Sequence, residues 1–187
     1  MKNLLKLLLI ACLVNSGCSW IRLATKPVYD IEEKIPMTVG INFDNSQGSN
    51  TYGPMVVRYL MDFKIFNSIV YPYKEGDKVD GVLDLNIQGR WVKKSIGNLV
   101  VLYPILSPFL GPSMVAKHNT VVGLNCSLIK IASYDFLTET KIKHGVLADK
   151  GLVVQRGDSI QSYKIAYQIA GKMLMDQEKI QVALKKK

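Results

Sequence analysis

The side chains that could do chemistry in this chain are few and far apart. Cys12, Cys18 and Cys126 could serve as nucleophiles or metal ligands, and His118 and His144 could ligate a metal or carry a proton. A zinc site needs such residues in closely spaced pairs. The two histidines lie on different segments, and neither stands at ligand spacing from a cysteine or carboxylate. Asp80 and Asp84 could share a neighbourhood and Asp44 falls near a strand end, but paired acids are common on solvated sheet surfaces. No nucleophile elbow, phosphate-binding glycine loop or zinc signature is found. The sequence therefore predicts a non-enzyme without catalytic residues, metal or cofactor, its histidines structural or solvated.

What the sequence does favour is chemistry at Cys18. Met1, Lys2 and Lys6 give a positive start, Leu4 to Val14 is almost wholly apolar, and Asn15-Ser16-Gly17 places small and turn-forming residues before Cys18. That is the layout of an export signal. The run is too short for a permanent span, which needs about 20 apolar residues. Ser16-Gly17-Cys18 resembles the end of the lipobox of bacterial lipoproteins, in which the chain is cut before a cysteine that then receives diacylglycerol. The resemblance implies cleavage between Gly17 and Cys18 and acylation of Cys18. Asn15 departs from the usual leucine, and Leu9-Ile10-Ala11-Cys12 fits the consensus better letter by letter, but cutting there leaves an apolar region too short for export. By the same analogy, Ser19 behind the acylated cysteine implies sorting to the outer membrane, on its periplasmic face.

With Cys12 removed and Cys18 acylated, Cys126 is left alone, so no internal disulfide is expected and the core must hold by packing. The formal charge of +9 includes Lys2 and Lys6. Basic charge of this size suits anionic headgroups or acidic partners, and export argues against nucleic acid. About 170 residues after the signal make one domain.

The elements follow from periodicity. Residues 18–36 read as anchor and tether, with Trp20, Ile21 and Leu23 beside Arg22 and Lys26 suited either to a headgroup boundary or to a flexible linker. Met37 to Phe43 alternates as a first strand. Pro54 is a natural first helical residue, and Tyr52, Met55, Val56, Tyr59, Leu60 and Phe63 recur at helical spacing. Ile65 to Tyr71 and Val79 to Trp91 give two further strands, with Gly89 read as a bulge. Thr120 to Ile131 gives a fourth, a turn at Ser133 to Thr138 follows, and Glu139 to Val146 gives a fifth. Asp149 to Gly157 reads as a loop before a long helix capped by Asp158 or Ser159. The prediction is an α+β two-layer sandwich over residues 37–187, with a mixed sheet of about five strands, one helix in the N-terminal half and a long C-terminal helix.

Together with the anchor, this order resembles a group of small periplasmic lipoprotein domains. The group includes the curli-secretion channel lipoprotein, the lipoprotein activators of penicillin-binding proteins, exopolysaccharide-export lipoproteins and the N-terminal domain of the Tol-system β-propeller protein. The residues that carry the resemblance are Val39-Gly40-Ile41-Asn42-Phe43-Asp44-Asn45, Val79-Asp80-Gly81-Val82-Leu83 and Leu124 to Lys141. It implies a role in assembly, secretion or transport across the envelope, with protein partners there and homo-oligomers among the expected states.

One stretch stands apart. Residues 95–116 carry no charge before Lys117 and crowd Leu102, Tyr103, Ile105, Leu106, Phe109 and Leu110 among Pro104, Pro108 and Pro112. The prolines exclude a regular helix and leave too little uninterrupted strand for a crossing hairpin. The six named residues are candidates for contact with membrane or partner, or else they fold back and complete the core. The functional expectation is a lipid-anchored scaffold or assistant of an envelope complex. The competing class is a transport accessory that holds a lipid or other amphiphile between sheet and helices.

Overall fold

The computed structural model describes residues 20–22, 33–44, 46–94, 113–126, 129–143 and 150–185. In chain order these form β1 (Trp20–Arg22), β2 (Ile35–Phe43), α1 (Gln47–Phe63), β3 (Phe66–Val70), β4 (Gly81–Lys94), β5 (Ser113–Cys126), β6 (Ile129–Lys143), α2 (Lys150–Met175) and α3 (Gln177–Lys185). The sheet has six strands in the order β1-β6-β5-β4-β2-β3. β2 pairs parallel with β3 and β4, and the other pairings are antiparallel. The mixed sheet with helices on one face is the α+β sandwich that the sequence predicts.

Alternation decides which face is covered. Met37, Val39 and Ile41 of β2, Leu83, Leu85 and Ile87 of β4, and Val122 and Leu124 of β5 are at most 1% exposed. They meet Val56, Val57 and Leu60 of α1 and Ile165, Ile169 and Met173 of α2 in one continuous core. Burial of each such side chain is worth about 1.5–3 kcal/mol. Cys126 is buried as expected of a small hydrophobe.

Several boundaries differ from the prediction. α1 starts at Gln47 instead of Pro54, which lies inside it, and Ser46 is its cap, accepting from the Ser49 amide at 3.2 Å. Gly48, Ser49 and Asn50 are weak helix formers, and tertiary bonds hold them. Beyond Leu85, β4 has outrun β2, so its free backbone needs another partner. The Ile87 amide donates to Ser49 Oγ at 2.9 Å, Ser46 Oγ donates to the Ile87 carbonyl at 3.1 Å, and Ser49 Oγ also donates to Asp44.

The predicted turn at Ser133 to Thr138 is part of β6, whose period of two runs on through Tyr134, Thr138 and Thr140, all buried. The break falls earlier, between Cys126 and Ile129. The predicted loop at Asp149 to Gly157 is helical from Lys150. Gly151 and Gly157 depress helix propensity, yet Gly157 is required where the helix crosses β4 and β6: a Cβ there would lie 2.1 Å from Ile142 Cδ1 and 2.7 Å from the Trp91 ring. Asp158 and Ser159 therefore sit inside the helix and do not cap it. Gly89 marks no bulge, because the register runs unbroken through Gly89↔His118, and the irregularity comes at Leu124/Asn125. The stretch 18–36 contains β1, and both Ile35 and Pro36 belong to β2.

Candidate functional site: the basic end of the sheet

Register assembles this site from four strands that are distant in sequence. In the terminal row, Lys94 of β4 stands opposite Ser113 of β5, Ser113 opposite Lys143 of β6, and Lys143 opposite Trp20 of β1. The next row is Lys93, Met114, Ile142 and Ile21, and the third is Val92, Val115, Lys141 and Arg22. Trp91, Ala116 and Thr140 follow, and then Arg90, Lys117 and Glu139. Trp20 is two residues from Cys18; Ser113 to Ala116, expected within the apolar insertion 95–116, instead begin β5 with Val115 and Ala116 buried, so Lys94 and Ser113 flank the remaining stretch 95–112.

Glu139 is the acid among these rows. Its carboxylate lies 3.2 Å from Lys141 Nζ and 3.5 Å from Lys117 Nζ, while both lysine side chains remain well exposed. The bond to Lys141, assisted by Lys117, holds its pKa below the usual carboxylate range. From the helix layer, Lys164 Nζ donates to the Glu139 carbonyl at 2.8 Å, and burial lowers the pKa of that ammonium.

Behind this end, on the helix side, the same strands and helices enclose a polar cluster. His118 is wholly buried, with its ring edge-to-face against Tyr52 at 4.3 Å between centroids. Gly89 makes room for it, since a Cβ there would stand 2.7 Å from His118 Cα and Cδ2. Both ring nitrogens, with Thr120 Oγ1 and Ser162 Oγ, find no hydrogen-bond partner among the described residues. Gln161 ties α2 to β6: its Oε1 accepts from Thr140 Oγ1, and its Nε2 donates to Thr138 Oγ1, both at 2.5 Å. Trp91 Nε1 donates to Asp158 Oδ1 at 2.6 Å. Burial pushes the Tyr52 phenol above its usual range, with Asp158 adding to the effect. Burial likewise lowers the His118 pKa, with Asp158 opposing. The imidazole is shut off from solvent, so the cluster fastens α2 to the sheet and presents no accessible base.

Gly17, Cys18, Leu102, Tyr103, Ile105, Leu106, Phe109, Leu110, Cys12 and His144 all lie outside the described residues. The structure fixes instead where the chain arrives at Trp20 and where the stretch 95–112 leaves and returns. Among the described residues no group of three metal-ligating side chains occurs, and no helix is long and apolar enough to cross a membrane. The basic rows escape a reading of the sequence because Arg22, Lys93, Lys117 and Lys141 form no linear cluster.

No family model matches the chain, and no curated protein is significantly similar to it. Solved structures do resemble it. A minor lipoprotein from Acinetobacter baumannii is 10% identical over 75% of this chain and 94% of its own, with a TM-score of 0.49. A Xanthomonas campestris protein of the DUF330 family is 11% identical over 85% and 94%, with a TM-score of 0.48. Lipoprotein B from Nitrosomonas europaea is 11% identical over 83% and 96%, with a TM-score of 0.45. Likeness at this level assigns no function.

Proposed function

We propose that the chain is a lipid-anchored protein of the bacterial envelope, held by an acylated Cys18 at the periplasmic face of the outer membrane. There it assists or scaffolds an assembly, secretion or transport complex without catalysing a reaction. The observation that supports this most is the terminal row. Trp20 stands in it, and so do Lys94 and Ser113, the two residues bounding the apolar stretch. The proposed lipid site and the uncharged segment with Leu102, Tyr103, Ile105, Leu106, Phe109 and Leu110 thus join the fold at one end. A chain whose lipid attachment and longest uncharged stretch outside the signal both join the fold at one end is suited to sit on a bilayer by that end. The sequence resemblance to envelope lipoprotein domains points the same way.

The test is fractionation of cells producing wild type, Cys18→Ser and Cys12→Ser with metabolic labelling by a fatty-acid probe. Cys18→Ser should leave the membrane fraction and lose the label, whereas label retained by Cys18→Ser and lost by Cys12→Ser overturns the anchor assignment. Crosslinking and copurification from membranes then reads the role: defined envelope proteins support the scaffold, and bound lipid with no stable protein partner supports an amphiphile carrier in its place.

A further inference from the structure

Charge along the sheet is segregated by end. The five rows from Lys94 back to Arg90 hold seven lysines and arginines against the single carboxylate of Glu139. Glu139 is already held by Lys117 and Lys141. The opposite end, taking the turn before β4 with the paired strands, carries Glu75, Asp77, Asp80, Asp84 and Asp135 with Lys74, Lys78 and Lys130. Asp80 is fixed there by accepting from the Thr38 amide at 2.7 Å, and Asp84 by Asn42 at 3.3 Å and by Asn125. The backbone therefore sets a charge axis along the strands, positive where Trp20 enters and negative where β4 begins.

We infer that the basic end of the sheet is a docking surface for the anionic headgroups of the leaflet that holds the anchor; this rests on the lipid-anchor reading above. Charge complementarity selects the partner. An anionic surface attracts each lysine or arginine that reaches it, by about fivefold in partition, and the attraction falls off within a Debye length of about 10 Å at 0.1 M salt. The acidic opposite end is repelled by the same surface, so the chain docks in one orientation. Trp20, at the tip of that end, puts the lipid two residues from the charged rows, and the surface they must meet is already within reach.

The test uses the full acylated protein reconstituted in vesicles of phosphatidylcholine alone and of phosphatidylcholine with phosphatidylglycerol. A water-soluble amine-acylating reagent is applied, with mass-spectrometric readout at Lys117 and Lys141, and at Lys74 and Lys78 of the turn before β4 as controls. On the anionic vesicles, labelling of Lys141, about 7 Å from the tip row, should fall about fivefold or more relative to neutral vesicles, and that of Lys117, about 13 Å from it, should fall less. It should return at 1 M salt, while the two control lysines do not change. Equal labelling on both vesicle types overturns the inference. Protection seen only in native membranes and abolished by prior proteolysis of membrane proteins also overturns it, in favour of an acidic protein partner. Failure to sediment with neutral vesicles strikes the lipid anchor alone, because that readout does not depend on charge.

Discussion

Lowering the pH from 7.5 to 5.5 should weaken the fold through His118. The ring is wholly buried, and burial is the main reason its pKa lies below the ordinary value of 6.5, with Asp158 of α2 pulling the other way. Tyr52 of α1 is the other ionisable group against it. In the unfolded chain the imidazole binds its proton at about pH 6.5, while in the fold it stays neutral to lower pH. The unfolded state therefore binds more protons between the two values, and the stability tied to neutral His118 is complete above about pH 6.5. It is lost as pH falls toward the folded value. The slope cannot exceed about 1.4 kcal/mol per pH unit for one proton. A fold that suppresses protonation fully loses about 1.4 kcal/mol between pH 7.5 and 5.5, close to tenfold in the folding constant. Urea unfolding at pH 7.5, 6.5 and 5.5 measures this, with His144→Gln as the background so that a single histidine titrates. Adding His118→Gln should remove most of the slope, whatever it does to stability at pH 7.5. An unchanged slope in that variant, or a His118 ring titrating at 6.5 by NMR in the folded protein, would refute the reasoning.

Other outcomes follow from the packing and from the proposed role. Ser49→Ala leaves the Ile87 amide without its partner and should cost about 1–3 kcal/mol in denaturant unfolding. Leu83→Ala, at the centre of the covered face, should cost about 2–5 kcal/mol by the same assay. Leu106→Ser combined with Phe109→Ser should leave the thermal transition cooperative and unshifted if these residues serve a membrane or partner. A lost or broadened transition would assign them to the core.

How much of this was legible in the sequence depended on what held each segment in place. Where alternation alone sufficed, as in Met37 to Phe43 and the apolar positions Leu83, Leu85 and Ile87, strand and buried face could both be read. Where tertiary contacts override local preference, they could not. Gly48 to Asn50 has poor helix propensity and is helical because Ser46 and Ser49 satisfy β4. Residues 150–157 look like a loop because of Gly151 and Gly157, although Gly157 is the residue that lets α2 lie against Trp91 and Ile142. Ser133 to Thr138 looks like a turn by composition but alternates correctly for a strand when Tyr134, Phe136 and Thr138 are taken together. The candidate site was hidden for a different reason. Lys94, Lys117, Lys141 and Arg22 become neighbours only through register, and register follows from pairings that reach from Trp20 to Lys143 and that no local pattern encodes.

The overhang of the antiparallel strands has a mechanical consequence. β4 continues nine residues past Leu85, the last residue that pairs with β2, and β5 and β6 keep pace with it. At about 3.3 Å per residue this extension measures about 30 Å. An acyl chain by itself sets only a maximum distance from the bilayer, within which a domain can tumble. A three-stranded extension seated by its tip would instead act as a strut of fixed height. It would lift β3, the parallel edge of the sheet whose Val70 is level with Val82, roughly 40 Å clear of the headgroups and turn the acidic end outward, so that partners approaching from the periplasm meet that end first.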